Sequence, residues 1–292
     1  MSADTQTSEA ITRKSASNLA LAFGLLPPRK RQAMSALYAF CREVDDVADE
    51  ETVPVDIRRQ QLADWREDVR QACRGGSPSF PVNRELKPII AEYRLPFSLF
   101  DELVLGVETD LDTFRFPDHA SLDLYCYRVA SVVGLLSIEI FGYQDPRCRD
   151  YAIALGKALQ LTNILRDVGN DAARGRIYIP QVDLEQFEVS PQEILGGRTS
   201  DRFQRLARHL ADRARQFYRA ARSLLPETDR RSMVAAELMG TVYWKLLCHL
   251  EAHQFPVLSC VPYKLSKTHK ILILLNAGIR FKLNLPFANY GG

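Results

Sequence analysis

The sequence lacks closely spaced cysteines and lacks an excess of charge of either sign. Its six cysteines are scattered, with no C-x-x-C pair and no metal-ligand spacing. This is typical of reduced thiols in a cytoplasm and not of a disulfide framework. The 38 lysines and arginines are balanced by 36 acidic residues, which leaves a net charge of +2. Because no basic stripe with interleaved aromatics is present either, we expect no nucleic-acid partner.

Nucleotide-binding loops and long apolar runs are also missing. Neither G-x-x-x-x-G-K-[ST] nor G-x-G-x-x-G occurs, which argues against a nucleotide enzyme. No apolar run approaches the length of a membrane span, and the longest candidate, ILILLNAGI at 271–279, is too short. The basic residues around it leave two alternatives, a core helix with solvated lysines, which is favoured, or a segment resting on a membrane surface. We therefore expect a cytoplasmic protein, with peripheral contact at the inner face of the membrane as the alternative.

What the sequence does contain is helical periodicity in almost every long segment. SPQE at 190–193 predicts a helix start, with Ser190 as N-cap and Glu193 closing a capping box. No repeat, linker or convincing strand alternation divides the chain. We predict one all-α domain over 1–292 with about ten helices, and a flexible segment at 1–16.

A dense acidic cluster follows directly on an apolar helical stretch in MSALYAFCREVDDVADE, residues 34–50. On a helix of about 3.6 residues per turn, one face carries Met34, Leu37, Tyr38, Cys41, Asp45 and Asp49. The two aspartates therefore continue a buried stripe, and Arg42 lies near its edge. Because buried carboxylates one turn apart repel each other, they need a cation partner or a metal ion.

A second polar stripe lies in LGKALQLTNILRDVGNDAARGRIYIP, residues 155–180. Gly156, Gln160, Asn163, Asp167 and Asp171 are spaced four, three, four and four residues apart, on one helix face. A solvated face is the ordinary explanation, but such a face normally carries Lys and Glu. Two D-x-x-x-D pairs in one helical chain favour a shared site.

Carboxylates that converge across a cavity would bind hard divalent cations such as Mg²⁺, which typically bridges carboxylates and substrate phosphates. Four arginines close by in sequence are suited to binding phosphate oxygens, namely Arg42, Arg166, Arg174 and Arg176. The pattern predicts a phosphorylated substrate held through Mg²⁺. The segment 122–142, LDLYCYRVASVVGLLSIEIFG, is apolar on nearly all sides. Its small residues would either let another helix approach or leave room for a ligand.

At these segments the sequence resembles the squalene/phytoene synthase family of head-to-head prenyltransferases. YCYRVASVVG (125–134) and the segment 155–180 match the two long signature patterns of that family. DDVAD (45–49) and DVGND (167–171) match its two aspartate motifs. The likeness spans most of the chain and, within the family, is greatest to the bacterial enzymes of squalene and hopanoid biosynthesis.

The resemblance implies an all-α isoprenoid-synthase bundle with a central cavity, and Mg²⁺-dependent 1'-1 condensation of two farnesyl diphosphates to presqualene diphosphate. It implies that Asp45, Asp49, Asp167 and Asp171 are Mg²⁺ ligands and that Arg42, Arg166 and Arg176 bind phosphate. It further implies that Tyr38, Tyr125, Gln160, Asn163 and Tyr243 line the reaction chamber, with Phe23, Val129 and Gly134 along the prenyl channel. A downstream enzyme of the isoprenoid pathway is a further expected partner.

Three alternatives stay open. The same site could complete squalene synthesis with NADPH, could make phytoene or dehydrosqualene, or could belong to a noncatalytic scaffold. An arginine that the family pattern places near SCVPYKLSK (259–267) is missing, and Lys264 or Lys267 could replace it. His249 and His253 form an H-x-x-x-H pair, for which we expect a structural or surface role because no further zinc ligand is apparent.

Overall fold

Helices form most of the molecule. The computed structural model describes residues 8, 10–11, 22–259, 263, 272–273, 276, 280 and 290–291 of the chain. The helices bounded within these residues are α1 (Pro28–Asp49), α2 (Val55–Cys73), α3 (Pro81–Tyr93), α4 (Phe97–Asp112), α5 (His119–Cys126), α6 (Val132–Phe141), α7 (Arg147–Ala173), α8 (Gln181–Gln186), α9 (Pro191–Leu195), α10 (Asp201–Leu224) and α11 (Val234–Ala252). Over this part of the chain no β-strand forms, and one parallel β-bridge joins Arg115 to Ile177. The predicted all-α class is confirmed.

Prolines and hydroxyl caps set several helix starts. α1 and α9 begin with Pro28 and Pro191. Proline suits the first helical position because an N–H there has no intrahelical acceptor, so its absence costs no hydrogen bond. Ser190 caps α9, and its Oγ accepts from the Glu193 N–H at 3.2 Å. The Glu193 carboxylate, predicted to return a bond to Ser190, instead accepts from the hydroxyl of Ser200. Ser200 is itself the N-cap of α10, so Glu193 joins two helix starts.

α7 is the central helix and packs against α10, α6 and α11. α10 turns toward the protein interior an apolar face of residues spaced three and four apart, consisting of Phe203, Leu206, Ala207, Leu210, Ala211, Ala214, Tyr218 and Ala221. Within this interface the hydroxyls of Tyr218 and Thr162 lie 3.1 Å apart and are hydrogen-bonded, which satisfies two buried polar groups. The helix that carries the second polar stripe is therefore fixed by packing.

The helix predicted for residues 122–142 is interrupted by a π-helical turn at Tyr127–Ser131, between α5 and α6. Glycines face this π segment from two sides. A Cβ at Gly106 on α4 would lie 2.6 Å from Arg128 Cβ, and a Cβ at Gly156 on α7 would lie 2.5 Å from Ser131 Cα. Both separations are shorter than real Cβ contacts, so glycine is what allows α4 and α7 to approach the wide turn. Turns of this kind are frequent at functional sites.

The stretch His119–Phe141 is long and apolar enough to cross a membrane by length and composition, with a mean hydropathy of 1.5. This differs from the prediction that no segment reaches that length. The reason is that α5, the π segment and α6 form one continuous helical segment. In the structure 56% of its most apolar window is buried inside the protein. The core helix of a globular protein meets the same criteria, and contacts with α4 and α7 account for the apolar composition.

Three predictions from the sequence fall mainly on residues that are not described. Of the segment 1–16, predicted to be flexible, only residues 8, 10 and 11 are described. Lys264 and Lys267, proposed as substitutes for the missing arginine, lie outside the described residues. So does most of the basic, apolar stretch at 264–282.

Candidate active site

A cavity of about 800 Å³ lies between α1, α4, the π segment, α6, α7 and α11. Ligand pockets typically measure about 300–1,000 Å³, so this one suits a large ligand. Most lining residues are apolar, while the charged and amide groups come mainly from one face of α1 and one face of α7. The predicted site residues that line it are Phe23, Tyr38, Arg42, Asp45, Tyr125, Val129, Gly134, Gln160, Asn163, Arg166, Asp167 and Tyr243.

The stripe on α1 reaches the cavity with Tyr38, Cys41 and Asp45, at steps of three and four residues. Arg42 donates to Asp45 across 3.2 Å and also binds the exposed carboxylate of Asp46. Burial, and then repulsion from Asp45, raises the pKa of the Cys41 thiol to about 12. Cys41 is therefore a neutral thiol at pH 7 and is not a candidate nucleophile.

The stripe on α7 faces the same cavity with Gly156, Gln160, Asn163 and Asp167. Arg166 donates to Asp167 through two nitrogens, Nε to Oδ1 at 2.8 Å and Nη2 to Oδ2. Asn163 donates to Gln160 Oε1 at 3.4 Å. Its own Oδ1 is buried and has no hydrogen-bond partner among the described residues. An unpaired buried acceptor lowers the stability of the fold by about 1–3 kcal/mol. A bound cation or hydrogen-bond donor would offset this loss.

Asp49 and Asp171 do not line the cavity but lie four residues after Asp45 and Asp167, on the last turns of the same two helices. Arg174 Nη1 lies 2.9 Å from Asp49 Oδ1, and Arg176 Nη1 lies 3.6 Å from the same oxygen. These ion pairs show that the C-terminal ends of α1 and α7 meet. A helix C-terminus carries partial negative charge, so each carboxylate there destabilises its helix by roughly 0.3–1 kcal/mol. Local stability therefore does not explain why acids occupy these positions.

The aspartates also repel one another. Burial, and then repulsion from Asp49, raises the pKa of Asp45 to about 7. Burial, and then repulsion from Asp167, raises the pKa of Asp171 to about 7. About half of the Asp45 side chain is exposed, and because this residue lines the cavity, water there reduces the free-energy cost that such a shift implies. A cation placed among these groups would relieve the repulsion.

A fifth aspartate, Asp110 on α4, lies in the cavity wall and was missed by the sequence reasoning. It is buried, and its charge acts on both Asp45 and Asp171. Tyr125 donates to its Oδ2 at 2.9 Å, and Tyr178 donates to its Oδ1 at 2.7 Å. Burial raises the pKa of Asp110, against the effect of these two hydrogen bonds. Asp110 thus links the carboxylates of α1 and α7.

The helical period of α4 places Asp110 on the same face as apolar residues that line the cavity. Leu103, Val107 and Asp110 follow at steps of four and three residues, and all three line the cavity. Asp112, two residues later, lies on the outer side, where it pairs with Arg59 at 2.7 Å. The helical period therefore separates the two aspartates, although no acid lies three or four residues from Asp110 to form a recognisable motif with it.

The apolar part of the wall is built around aromatic rings and the π segment. Phe23 packs edge-on against Tyr38 with ring centroids 6.4 Å apart, while Val129 and Tyr243 line the cavity from the π segment and α11. A Cβ at Gly134 would lie 3.1 Å from the Ala152 carbonyl oxygen. This glycine allows α6 to approach α7 closely, and it also lines the cavity.

The donor set fits a hard divalent cation. Carboxylate oxygens come from the ends of two helices, one unpaired amide oxygen lies in the wall, and the thiol beside them is protonated. Oxygen ligands of this kind suit Mg²⁺, which binds to a few carboxylates and to substrate phosphates. Four arginines stand beside the carboxylates, at positions 42, 166, 174 and 176. An anion and its counter-cations could therefore be held at one end of an apolar chamber.

Similarity to known proteins extends over most of the chain. The squalene/phytoene synthase family model matches residues 12–269. A presqualene diphosphate synthase from Rhodopseudomonas palustris is 37% identical over 259 residues, covering 88% of this chain and 91% of that protein. A phytoene synthase from Arthrospira platensis is 35% identical over 262 residues, covering 85% and 84%. A crystal structure of a dehydrosqualene synthase in complex with ligand has a TM-score of 0.82 at 28% identity, covering 96% and 97%. The chain therefore belongs to the squalene/phytoene synthase family and is a prenyltransferase of that family.

Proposed function

We propose that this prenyltransferase condenses two molecules of farnesyl diphosphate head-to-head to presqualene diphosphate, releasing diphosphate, with Mg²⁺ as its metal. The observation that carries the proposal is an apolar cavity with acidic and arginine groups at one side. A prenyl diphosphate has the matching chemistry, because an apolar chain ends in a multiply charged head. The relative from Rhodopseudomonas palustris supports the product assignment by its name.

The charged groups are assigned to the diphosphates. Enzymes of this family use a divalent metal to bind diphosphate, and we assign Asp45, Asp49, Asp167 and Asp171 as its ligands here. When bound, the metal ions neutralise the diphosphate that leaves the first farnesyl chain. A guanidinium group can donate two parallel hydrogen bonds to phosphate oxygens. We propose that Arg42, Arg166 and Arg176 bind the diphosphates in this way. In the structure Arg42 and Arg166 pair with aspartates, so substrate binding would exchange one anionic partner for another.

We propose that the apolar wall of the cavity holds the two farnesyl chains while they react. Loss of diphosphate leaves an allylic cation at C1 of one chain, and the double bond of the second chain attacks it. Loss of a proton then closes the cyclopropane. Phe23, Val129 and Gly134 would keep water from this cation, and the rings of Tyr38 and Tyr243 would stabilise it, by about 2 kcal/mol for a desolvated contact. Tyr125 is held by Asp110, and Gln160 with Asn163 would orient the diphosphates.

A second candidate is a different product from the same site. The phytoene synthase from Arthrospira platensis is nearly as similar as the presqualene diphosphate synthase, so phytoene or dehydrosqualene synthesis is retained as an alternative. Complete squalene synthesis with NADPH is another. All of these share the metal and diphosphate chemistry proposed above, and differ only in prenyl chain length or in the steps after cyclopropane formation.

The test is to incubate the purified protein with Mg²⁺ and either farnesyl or geranylgeranyl diphosphate, with and without NADPH, and to identify products by mass spectrometry. We expect presqualene diphosphate from farnesyl diphosphate, independent of NADPH. Squalene formed only with NADPH, or phytoene from geranylgeranyl diphosphate as the preferred product, would contradict the product assignment. No turnover of either substrate would support the noncatalytic scaffold instead.

Location and protein partners stay as predictions from the sequence. A cytoplasmic site with peripheral contact at the membrane would suit an enzyme whose expected product carries two apolar chains. A downstream isoprenoid enzyme would then receive that product. Fractionation of cells into membrane and cytosolic pools tests the first prediction, and crosslinking with mass spectrometry tests the second.

A further inference from the structure

Three side chains capable of binding a metal ion meet at a place distinct from the cavity. His119 is the first residue of α5, Asp183 lies on α8, and His209 lies on α10. One ligand atom of each lies within 4.8 Å of the others. None of the three lines the cavity, so the proposed prenyltransferase chemistry does not use them.

Asp183 is the anchor of this cluster. It is 1% exposed, and a buried carboxylate requires a compensating positive charge. Its Oδ1 lies 3.0 Å from His119 Nε2 and 3.6 Å from His209 Nε2. Its Oδ2 is buried and has no hydrogen-bond partner among the described residues. A polar atom of this kind points to a ligand that the protein side chains do not supply.

Two of the separations between the ligand atoms are close to those in a tetrahedral transition-metal site. With metal–ligand distances of about 2.0–2.1 Å, tetrahedral ligands lie about 3.3 Å apart. The two separations from Asp183 Oδ1, 3.0 and 3.6 Å, fall on either side of that value. The side chains of His119 and His209 are 33% and 37% exposed, so solvent can supply a fourth ligand. Two imidazoles and one carboxylate favour Zn²⁺ over Mg²⁺.

We propose that His119, Asp183 and His209 bind Zn²⁺, with solvent as the fourth ligand. The ion would join α8 to α5 and α10. α8 directly follows the segment that carries Arg176 and Tyr178, and this segment pairs with the main chain of residues 114–117 through hydrogen bonds such as Ile177 N–H to the Phe114 carbonyl, at 3.0 Å. Zinc would therefore stabilise the segment from which Tyr178 binds Asp110 in the cavity wall, without contacting substrate.

The competing explanation is an ion pair in which the histidines bind Asp183 without any metal. The two explanations differ in their response to Zn²⁺, because a ligand that binds only the folded state raises its stability in proportion to the logarithm of the ligand concentration. An ion pair alone responds to pH but not to micromolar Zn²⁺. The H-x-x-x-H pair of His249 and His253, whose stacked rings lie 5.0 Å apart, provides an internal control for zinc bound elsewhere.

The experiment measures zinc content and thermal unfolding of the full-length protein in excess Mg²⁺, which occupies oxygen-ligand sites. The metal-stripped wild type should take up one Zn²⁺ per chain by equilibrium dialysis and elemental analysis, and its Tm should rise with added ZnCl₂. His209→Ala should lose both responses, and His253→Ala should keep both. Should His209→Ala not give folded protein, His119→Ala is measured in the same way.

The outcomes separate cleanly. No zinc uptake by the wild type, unchanged uptake by the His209→Ala or His119→Ala variant, or loss of uptake in His253→Ala would each overturn the proposal. Because zinc content and Tm do not depend on turnover, failure of the proposed prenyltransferase activity would leave this test intact.

Discussion

The close approach of α7 to the π segment gives the sharpest quantitative prediction. In Gly156→Ala the new Cβ would lie 2.5 Å from Ser131 Cα and 2.7 Å from Ser131 N, both main-chain atoms. Overpacking of this kind costs about 1–3 kcal/mol, and we expect the upper part of that range because the main chain must move. Because alanine has a higher helix propensity than glycine, the substitution also stabilises α7 by about 1 kcal/mol. The net loss of unfolding free energy is then about 2 kcal/mol.

The assay compares Gly156→Ala with Gly240→Ala, a second helical glycine that faces the core. A Cβ at Gly240 would meet Tyr290 Cε1 at 2.9 Å and Leu155 Cδ1 at 3.2 Å, which belong to side chains and not to the main chain. A loss of 2 kcal/mol should lower Tm by about 4–8 °C in a protein of this size, whereas Gly240→Ala should lose less stability, because its close contacts are not with main-chain atoms.

Activity provides a second measurement on the same pair of variants. Displacement of the π segment moves Val129 and with it the cavity wall, so kcat/KM of Gly156→Ala should fall on the order of 10- to 100-fold at 25 °C. The variant stays folded at that temperature, since typical stabilities are about 5–15 kcal/mol. The reasoning fails if Gly156→Ala melts at or above the wild type, or if Gly240→Ala loses as much stability and activity.

Three further predictions concern acidic side chains. Asp45→Asn or Asp167→Asn should reduce turnover more than about 100-fold while the helical circular dichroism is kept, because a proposed metal ligand is lost. Asp110→Asn should lower both Tm and turnover, since an amide oxygen cannot accept well from Tyr125 and Tyr178 together, and one hydroxyl left unpaired costs about 1–3 kcal/mol. Burial raises the pKa of Glu237. The protonated side chain therefore favours the folded state at low pH, and this contribution to folding stability is lost as pH rises above the ordinary glutamate range. Glu237→Gln should therefore melt close to the wild type at pH 4 and above it at pH 8.

Matched controls keep these predictions refutable. Asp150→Asn, on the exposed first turn of α7, should keep full activity, and equal activity in Asp167→Asn would remove the case for a metal site. Asp112→Asn, on the outer side of α4, is the control for Asp110→Asn, and the two should differ in Tm as well as in turnover. For Glu237→Gln, a melting difference from the wild type that is constant between pH 4 and pH 8 would show that ionisation of Glu237 is not responsible.

The helical class and the two polar stripes could be predicted because each depends on residues close together in sequence. Asp45 follows Tyr38 and Cys41 on one face of α1, and Asp167 follows Gln160 and Asn163 on one face of α7; all of these line the cavity. The period of an α-helix fixes which side chains share a face, whatever the helix packs against.

Other parts of the site depend on contacts between distant segments and were not predicted. Asp110 has no acid three or four residues away from it, and its importance arises only when Tyr178 reaches it from a segment 68 residues away. The π segment breaks a sequence that reads as one continuous helix, because Gly106 and Gly156 leave room for a wider turn. Likewise His119, Asp183 and His209 show no motif spacing and meet only through the packing of α5, α8 and α10.

The sequence by itself therefore determined that the chain is helical, that two helices carry inward acids, and which family those motifs resemble. The tertiary structure decided that the C-terminal ends of α1 and α7 meet, joined by the ion pair of Arg174 with Asp49. It also decided that a third helix contributes Asp110, and that glycines open the wall for the π segment. The physical reason is that helical period is a local property of the backbone, whereas the meeting of carboxylates on separate helices depends on side-chain packing across the whole core.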